Sequence, residues 1–410
     1  MELAVLPRLR HPLRSETVPD PLRDRLAHHI DATVVAVLDP ARLEAMAEDQ
    51  RLTQRHRVHH AGLVICAWVL AAFARSTDTE GRVLDAQRTY EGLGGPVSGR
   101  TSFRTQSRKL LPVMHTLLRR RLRALVAQAT PALRGRLQAF TDVLIPDGCA
   151  FKLANALAGV YKGTGQLAEF KLHAVYSVRA GAVTTTTATA GAVHDTAGFA
   201  PTTWERGALY LWDLAFNDYA RFLDAQRAGS HVVQRLKDTA NPVVLASYGP
   251  TGVRRAMPLR ATGQPLRLQE AAEFGYVHHR RVLDLDVEIT DDTGRTGVAR
   301  VVCVPCHGTD RWYLTTLPRD LFTPEDVAEI YRIRWECELF FRTWKGGVRL
   351  DEVRRLYHPQ SLEVAVTAAL LAAVLSRELG AGLERLTATV TEATPPTADV
   401  AFPPRAARAS

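Results

Sequence analysis

The chain has 410 residues, 46% of them hydrophobic and 23% charged, which excludes a wholly disordered polymer and leaves room for two or three domains with real cores. Its formal net charge of +9 suits a polyanionic partner without demanding one. Five scattered cysteines argue against a disulfide framework, and the apolar run over residues 364–375, with Thr367 inside it, is too short to span a membrane.

The first residues carry no signal-peptide core, so a cytoplasmic location is expected. Residues 1 to about 140 read as helical and basic. Asp39 and Pro40 introduce a helix over 41–46, and 63–73 is apolar enough to be the core helix of this region. Gly94, Gly95 and Pro96 break the pattern. Residues 101–111 and 117–125, the latter with Arg119, Arg120, Arg121 and Arg123, then form basic helices that are either solvated or laid against DNA.

The character changes near residue 141. A short apolar strand over 142–147 ends on Asp147, residues 169–178 alternate as a half-buried strand, and 182–190 makes a third. A strand over 208–213 ends on Asp213, 216–228 has helical spacing, and 231–237 is a further strand. Three more β-like runs follow at 242–247, 282–289 and 298–304, with a hairpin turn at Asp291, Asp292, Thr293 and Gly294. Cys303-Val-Pro-Cys306-His307 matches a haem-attachment pattern but overlaps the last of these strands, so no haem is expected. Residues 361–379 read as one long helix stopped at Gly380, and the Pro-, Ala- and Arg-rich tail from about 391 as disordered.

The most informative stretch is the helix predicted from Pro324 to Lys345. Thr323 is a good N-cap, Pro324 suits the first helical position, Glu325 and Asp326 complement the dipole, and Gly346 and Gly347 end the pattern. At ~100° per residue, Tyr331, Arg334, Glu338 and Lys345 share an arc of roughly 60°, while Ile333, Cys337, Phe340 and Trp344 point away towards a core. Trp335 lies at the edge of the polar arc. The face offers one carboxylate between cations and a phenol; an ordinary i,i+4 Arg334–Glu338 pair on a solvated face is the simpler alternative. Only six of the cations are lysines, so Lys345 stands out in an arginine-rich chain.

The spacing Tyr331-x2-Arg334-x3-Glu338-x6-Lys345, with Trp335, Leu339, Phe340, Phe341 and Trp344 around it, resembles the YREK signature of bacterial insertion-sequence DDE transposases of the IS-four type. The resemblance spans about residues 141–380. It implies an α/β protein: an RNase H-like catalytic core with a β-strand insertion, preceded by an all-α N-terminal region and followed by C-terminal helices. The corresponding divisions are 1–140 (DNA binding), 141–238 (first part of the core), 239–318 (insertion), 319–390 (core completion and C-terminal helices) and a tail, 391–410. It further implies that Asp147, Asp213 and Glu338 are catalytic and hold Mg²⁺, with Mn²⁺ as a substitute. Tyr331, Arg334 and Lys345 would bind phosphates, and Trp335 would support a base flipped from the stack.

Arg235 and Lys237, at the end of the strand after Asp213, are further candidates for DNA contact, as are Lys171 and His173. Two departures from the family pattern are Cys149, where a small hydroxyl is usual, and Ala215, where glycine is usual; the latter would be strained if that position needed a left-handed backbone. Asp142, Asp218 and Asp351 lie off the matched positions. The expected partners are double-stranded DNA, both terminal inverted repeats and target, and a second copy of the chain in a synaptic complex associated with the nucleoid. No membrane is involved. The expected reaction is metal-dependent cleavage at the element's ends followed by strand transfer. A catalytically inactive DNA-binding relative and a nuclease without strand transfer are the alternatives.

Overall fold

The structure is a computed structural model that describes residues 20–393 except 53–58, 74–80, 129–132, 134, 166, 200–202, 250–251, 256–258, 261, 279–281, 307–308, 336, 339–340 and 343–355. Two compact units are present, one formed by Met1–Asp39 with Leu375–Ser410 and the other by Pro40–Val374. In the first, helix α1 (Asp20–Leu38) buries Leu26, Ile30, Val34 and Leu38 along one stripe.

The larger unit begins with helices α2 (Pro40–Asp49), α3 (Ala61–Ala71), α4 (Arg82–Gly92), α5 (Arg100–Lys109) and α6 (Leu111–Gln128). Every residue of α3 except Leu63 is buried, as its unbroken apolar sequence demands. Phe103 of α5 packs fully buried against Trp68 of α3 and Tyr90 of α4. The arginine-rich surface of α6 keeps Arg119, Arg120 and Arg123 exposed, while Leu117, Leu118 and Leu122 turn inward.

After residue 140 the chain builds one ten-stranded mixed sheet in the order β3-β2-β1-β4-β5-β10-β9-β8-β6-β7. Strands β1 (Val143–Lys152), β2 (Glu169–Ser177) and β3 (Ala182–Ala190) form an antiparallel meander. Strands β4 (Leu209–Trp212) and β5 (His231–Arg235) run parallel to β1, joined by helix α8 (Tyr219–Arg227), whose N-cap is Asp218; a short turn, α7 (Asp195–Gly198), precedes β4. The strands β6 (Val243–Tyr248), β7 (Arg254–Arg255), β8 (Leu283–Thr290), β9 (Thr296–Cys306) and β10 (Thr309–Thr315) extend this same sheet, because β10 pairs antiparallel with β5. Helix α9 (Leu268–His278) packs on β6 and β8. The turn at Asp291–Gly294 is the expected hairpin, with the Asp291 carboxylate accepting from the Thr293 and Arg295 amides at 2.9 Å each.

Alternation along each strand gives the sheet two distinct faces. The register places Leu144, Val175, Tyr210, Trp212, Val232 and Leu314 together on one face, within the main apolar core, with Phe222 of α8 packed among them. The opposite face carries Ile145, Asp147 and Cys149 of β1, Leu209 and Leu211 of β4, Arg235 of β5 and Tyr313 of β10.

Two further helices follow. Helix α10 (Pro324–Arg332) starts on the predicted Thr323 cap, which forms a full capping box with Asp326. Helix α11 (Pro359–Ala393) runs on through Gly380, where the sequence suggested a stop. Gly380 does not take up the left-handed backbone of a helix terminus, and the helix-forming residues beyond it carry the ladder on to Ala393. The rest of the expected disordered tail, 394–410, lies outside the described residues. Residues 364–375 are buried, and Glu363 accepts a hydrogen bond from Tyr161 at 3.0 Å. Among the described residues no helix is long and apolar enough to cross a membrane.

Candidate active site

Asp147 projects from the interior of β1, not from its end as the sequence suggested. The antiparallel partner β2 continues the ladder from Leu144 to Lys152, whereas the parallel partner β4 pairs only with Val143 and Leu144. Asp147 therefore stands where β1 has lost one neighbour, and this opens space beside its carboxylate. The Gly148 amide donates to Asp147 Oδ1 at 2.7 Å. Burial nevertheless pushes the carboxyl up to about 6, against the pull of that amide and Arg334, with Asp213 and Asp195 adding to the rise.

Asp213 does end its strand. It follows the four buried residues of β4, with φ −74° and ψ 170°, and opens a short 3-10 turn over Leu214–Phe216. Ala215 within that turn is not left-handed: among the described residues the one non-glycine with positive φ is Arg51. The departure from glycine at 215 thus costs the backbone no strain.

The helix expected to run unbroken to Lys345 changes character after Arg332. Ile333, Arg334 and Cys337 each donate to a carbonyl three residues back, a tighter winding than α-helix, before residues 337–338 and 341–342 resume helical conformation. Tyr331, at the last full turn, is buried, with its ring centroid 5.0 Å from that of Tyr313 on β10. Cys337 is wholly buried and its thiol lies 3.9 Å from the Ile145 carbonyl, which ties this segment to β1 two residues before Asp147. Between these anchors Arg334 reaches inward. Its guanidinium hydrogen-bonds Glu338, comes within 3.9 Å of Asp147 Oδ2, and lies 5.9 Å from the Tyr331 ring centroid.

The structure thus brings together Asp147, Asp213, Tyr331, Arg334 and Glu338, and the electrostatic influence of Arg235 and Asp213 reaches Tyr331. Trp335 points to the surface, half exposed, and takes no part in the core. Lys237 is exposed and lines a separate cavity of about 390 Å³ with His194, Asn217, Asp218 and Asp291. Lys345, with Phe340, Trp344 and Asp351, lies outside the described residues. Lys171 and His173, considered as DNA contacts, face the other side of the sheet from Asp147. Lys171 donates to the Val193 carbonyl at 3.1 Å and pairs with Asp195, and the buried His173 bonds Thr189 at 2.8 Å. They are fastened internally.

The carboxylates set aside earlier have structural work. Asp142 accepts from the Val143 and Arg179 amides and the Ser177 hydroxyl, and Asp218 caps α8. Cys303 is buried in β9 with its thiol pushed up to about 12 by burial, and His307 lies outside the described residues. Two participants were missed. Tyr313 shares a face with Arg235, which strand alternation alone cannot show without the β5–β10 register. Asp195 sits so close behind Gly148 that a Cβ there would lie 2.1 Å from its carboxylate, and no motif marks it.

Several buried polar atoms in this region have no hydrogen-bond partner among the described residues: the Tyr331 hydroxyl, Arg334 Nε and Arg235 Nε. Donors left in this state call for an acceptor from outside. The acids have the opposite need. Asp147 is buried near other carboxylates, which raises its carboxyl, and a hard divalent cation with oxygen ligands would offset that concentration of negative charge. Among the described residues no three acidic, histidine or cysteine side chains already form a metal cage. The donor chemistry fits such an ion, with Arg334 meanwhile standing between Asp147 and Glu338.

Carboxylates, cations and a phenol are thus gathered on one face of a mixed α/β sheet. The chain belongs to the transposase DDE domain family, whose profile matches residues 139–375. Over 62 residues it is 42% identical to the putative transposase InsL of insertion sequence element IS186A from Escherichia coli strain K12. It is equally similar, 42% over 62 residues, to the transposase of insertion sequence element IS421 from Escherichia coli. Each match covers 15% of this chain and 16% of the relative.

Proposed function

We propose that this chain is an insertion-sequence transposase that cuts DNA at the element's ends and joins them to a target, using Asp147, Asp213 and Glu338. The observation that carries this reading is the convergence of Asp147 and Asp213, from neighbouring strands, with the Tyr331–Arg334–Glu338 segment of α10 and its continuation on one sheet face. An RNase H-like core is supported by an antiparallel β1–β2–β3 meander beside strands β4 and β5 parallel to β1. Strands β6 to β10, within residues 239–318, are the insertion, and the helices before residue 140 the region that recognises DNA.

Asp147, Asp213 and Glu338 would hold Mg²⁺, or Mn²⁺ in its place, which when bound activates the attacking oxygen and neutralises the leaving one. The protein's own groups bind and orient the DNA. Tyr331, Arg334 and Arg235, each with a buried polar atom unpartnered among the described residues, grip phosphates. Lys345 and Lys237 are further cations for the phosphate backbone, and the exposed Trp335 offers a platform for an unstacked base. The first cut hydrolyses the phosphodiester at the element's end. The freed 3′-OH then attacks the opposite strand to give a hairpin, which is opened and joined to target DNA. Two ends must be held together, so a dimer forms on DNA, within the nucleoid of the cytoplasm.

A second reading, an inactive DNA-binding relative, draws on Cys149 beside Asp147 and on Arg334 lying against the acids. One experiment separates them. A plasmid carrying the gene with its native flanks is incubated with purified protein and Mg²⁺, beside Asp213→Ala and Glu338→Ala proteins. Double-strand breaks at both flanks, absent with either variant, are expected. DNA binding without breaks from any of the three proteins would leave the inactive relative, and breaks with no joined products would indicate a nuclease.

A further inference from the structure

Arg334 is engaged with the very carboxylates that the proposed reaction assigns to the metal. Its side chain is only 14% exposed, one terminal nitrogen bonds Glu338, and the other is 3.9 Å from Asp147. Its third nitrogen, Nε, is buried without a partner among the described residues, as is the hydroxyl of Tyr331, whose ring lies 5.9 Å from the guanidinium. One cation therefore serves as counter-charge to the acids while part of its own donor set, and that of its neighbour, is unused. A guanidinium and a divalent ion cannot both sit between Asp147 and Glu338, since like charges at such distances repel strongly in a poorly solvated place.

We propose that Arg334 is a resident counter-ion that the metal displaces, and that the displaced guanidinium is then taken up by a DNA phosphate beside Tyr331. This rests on reading Asp147, Asp213 and Glu338 as the metal site. Metal and DNA then favour each other's binding: an ion on the carboxylates frees the cation that grips the phosphate, and a phosphate holding Arg334 clears the carboxylates for the ion. Linkage makes the two effects equal in size. Arg334 is in this sense a positioning residue whose partner depends on the state of the site.

The test measures Mn²⁺ binding by calorimetry on the full chain, without turnover, for wild type, Arg334→Gln, Arg334→Lys and Arg332→Gln. Arg332 is exposed on α10, two residues from Arg334, and controls for loss of one charge nearby. Arg334→Gln is expected to bind Mn²⁺ on the order of tenfold more tightly than wild type. Arg334→Lys and Arg332→Gln should stay within about threefold of it. Equal or weaker Mn²⁺ binding by Arg334→Gln, with wild type binding normally, overturns the exchange but leaves the metal site standing. No Mn²⁺ binding by any of the four proteins overturns both. Should Arg334→Gln fail to fold, as judged by circular dichroism, the wild-type protein alone decides the matter. Its affinity for a duplex carrying the native flank must rise on the order of tenfold with Mn²⁺, and an affinity that is unchanged or lower refutes the exchange.

Discussion

The ring of Tyr331 lies against that of Tyr313, their centroids 5.0 Å apart and their planes inclined by 53°. One phenol comes from the helix, the other from the strand that closes the sheet onto β5. This contact docks the end of α10 on the face that carries Asp147 and Asp213, yet among the described residues the Tyr331 hydroxyl has no partner there. Ring and hydroxyl thus have separable roles.

Tyr331→Phe keeps the ring contact and removes a buried unsatisfied hydroxyl. Stability in urea should be unchanged or raised by up to about 1 kcal/mol, while cleavage at the element's ends falls roughly tenfold. Tyr331→Ala should lose about 3–5 kcal/mol by vacating the docking site. A phenylalanine variant markedly less stable than wild type would show that the hydroxyl is paired after all.

The Asp147 carboxyl, raised from 3.8 to about 6 by burial, links metal-free stability to pH. A raised value means the folded protein keeps a proton that the unfolded chain releases, so this group's favourable contribution is present below about pH 4 and is lost as pH rises through 6. Asp147→Asn should therefore be the more stable protein at pH 7.5 without metal, by up to about 3 kcal/mol. Denaturation curves at several pH values check this: the gain should vanish near pH 4, and a gain independent of pH would refute the cause given.

Asp284 of β8 is the centre of a buried charge cluster. Arg300 bonds it through two nitrogens at 2.9 and 2.7 Å, and Arg319 through two more at 3.1 and 3.0 Å. Arg300 also donates to the Leu317 and Phe322 carbonyls at 3.2 and 2.8 Å, just before α10 begins. Asp284→Ala should cost about 3–5 kcal/mol, because it leaves buried guanidinium charge uncompensated. Hydrogen exchange should quicken in α10 as well as in β8; protection lost in β8 alone would mean the cluster does not hold the helix.

Ala215→Gly introduces the glycine that the resemblance leads one to expect at this position. Since Ala215 needs no left-handed backbone, the change should destabilise by about 0.5–1 kcal/mol through added freedom of the unfolded chain. Thermal unfolding of the two proteins side by side is sufficient, and a more stable glycine variant would point to strain at Ala215.

Local pattern made much of this legible in advance. The alternation of residues 169–178 and the threonine run of 182–190 marked β2 and β3 to within a residue or so, and the Thr323 cap marked the start of α10. Tyr331, Arg334 and Glu338 could be grouped because helical spacing is a short-range property. What failed depends on distant partners. The end of β1 was misplaced because β2, some thirty residues on, extends its ladder past Asp147. Strand spacing leaves Lys171 and His173 open as DNA contacts or solvated strand ends, because nothing local says which face of β2 looks towards Asp195. The Pro324 helix was drawn too straight, since the tight turns at Ile333 and Arg334 accompany contacts with Tyr313 and Ile145 that no helical wheel contains.

Strand β10 sits in the middle of the sheet, although it is the last strand to be made, with β5 on one side and β9 on the other. During synthesis β5, complete at Arg235, must wait for residues 309–315 before its free edge is covered. Pairing across so long a separation is slow, and an uncovered strand in the interim is an invitation to other chains. A product truncated anywhere between Arg235 and Thr309 would therefore keep both aspartates yet expose that edge. Such a fragment is destined for aggregation and removal, not for a life as a free DNA-binding competitor of the full chain.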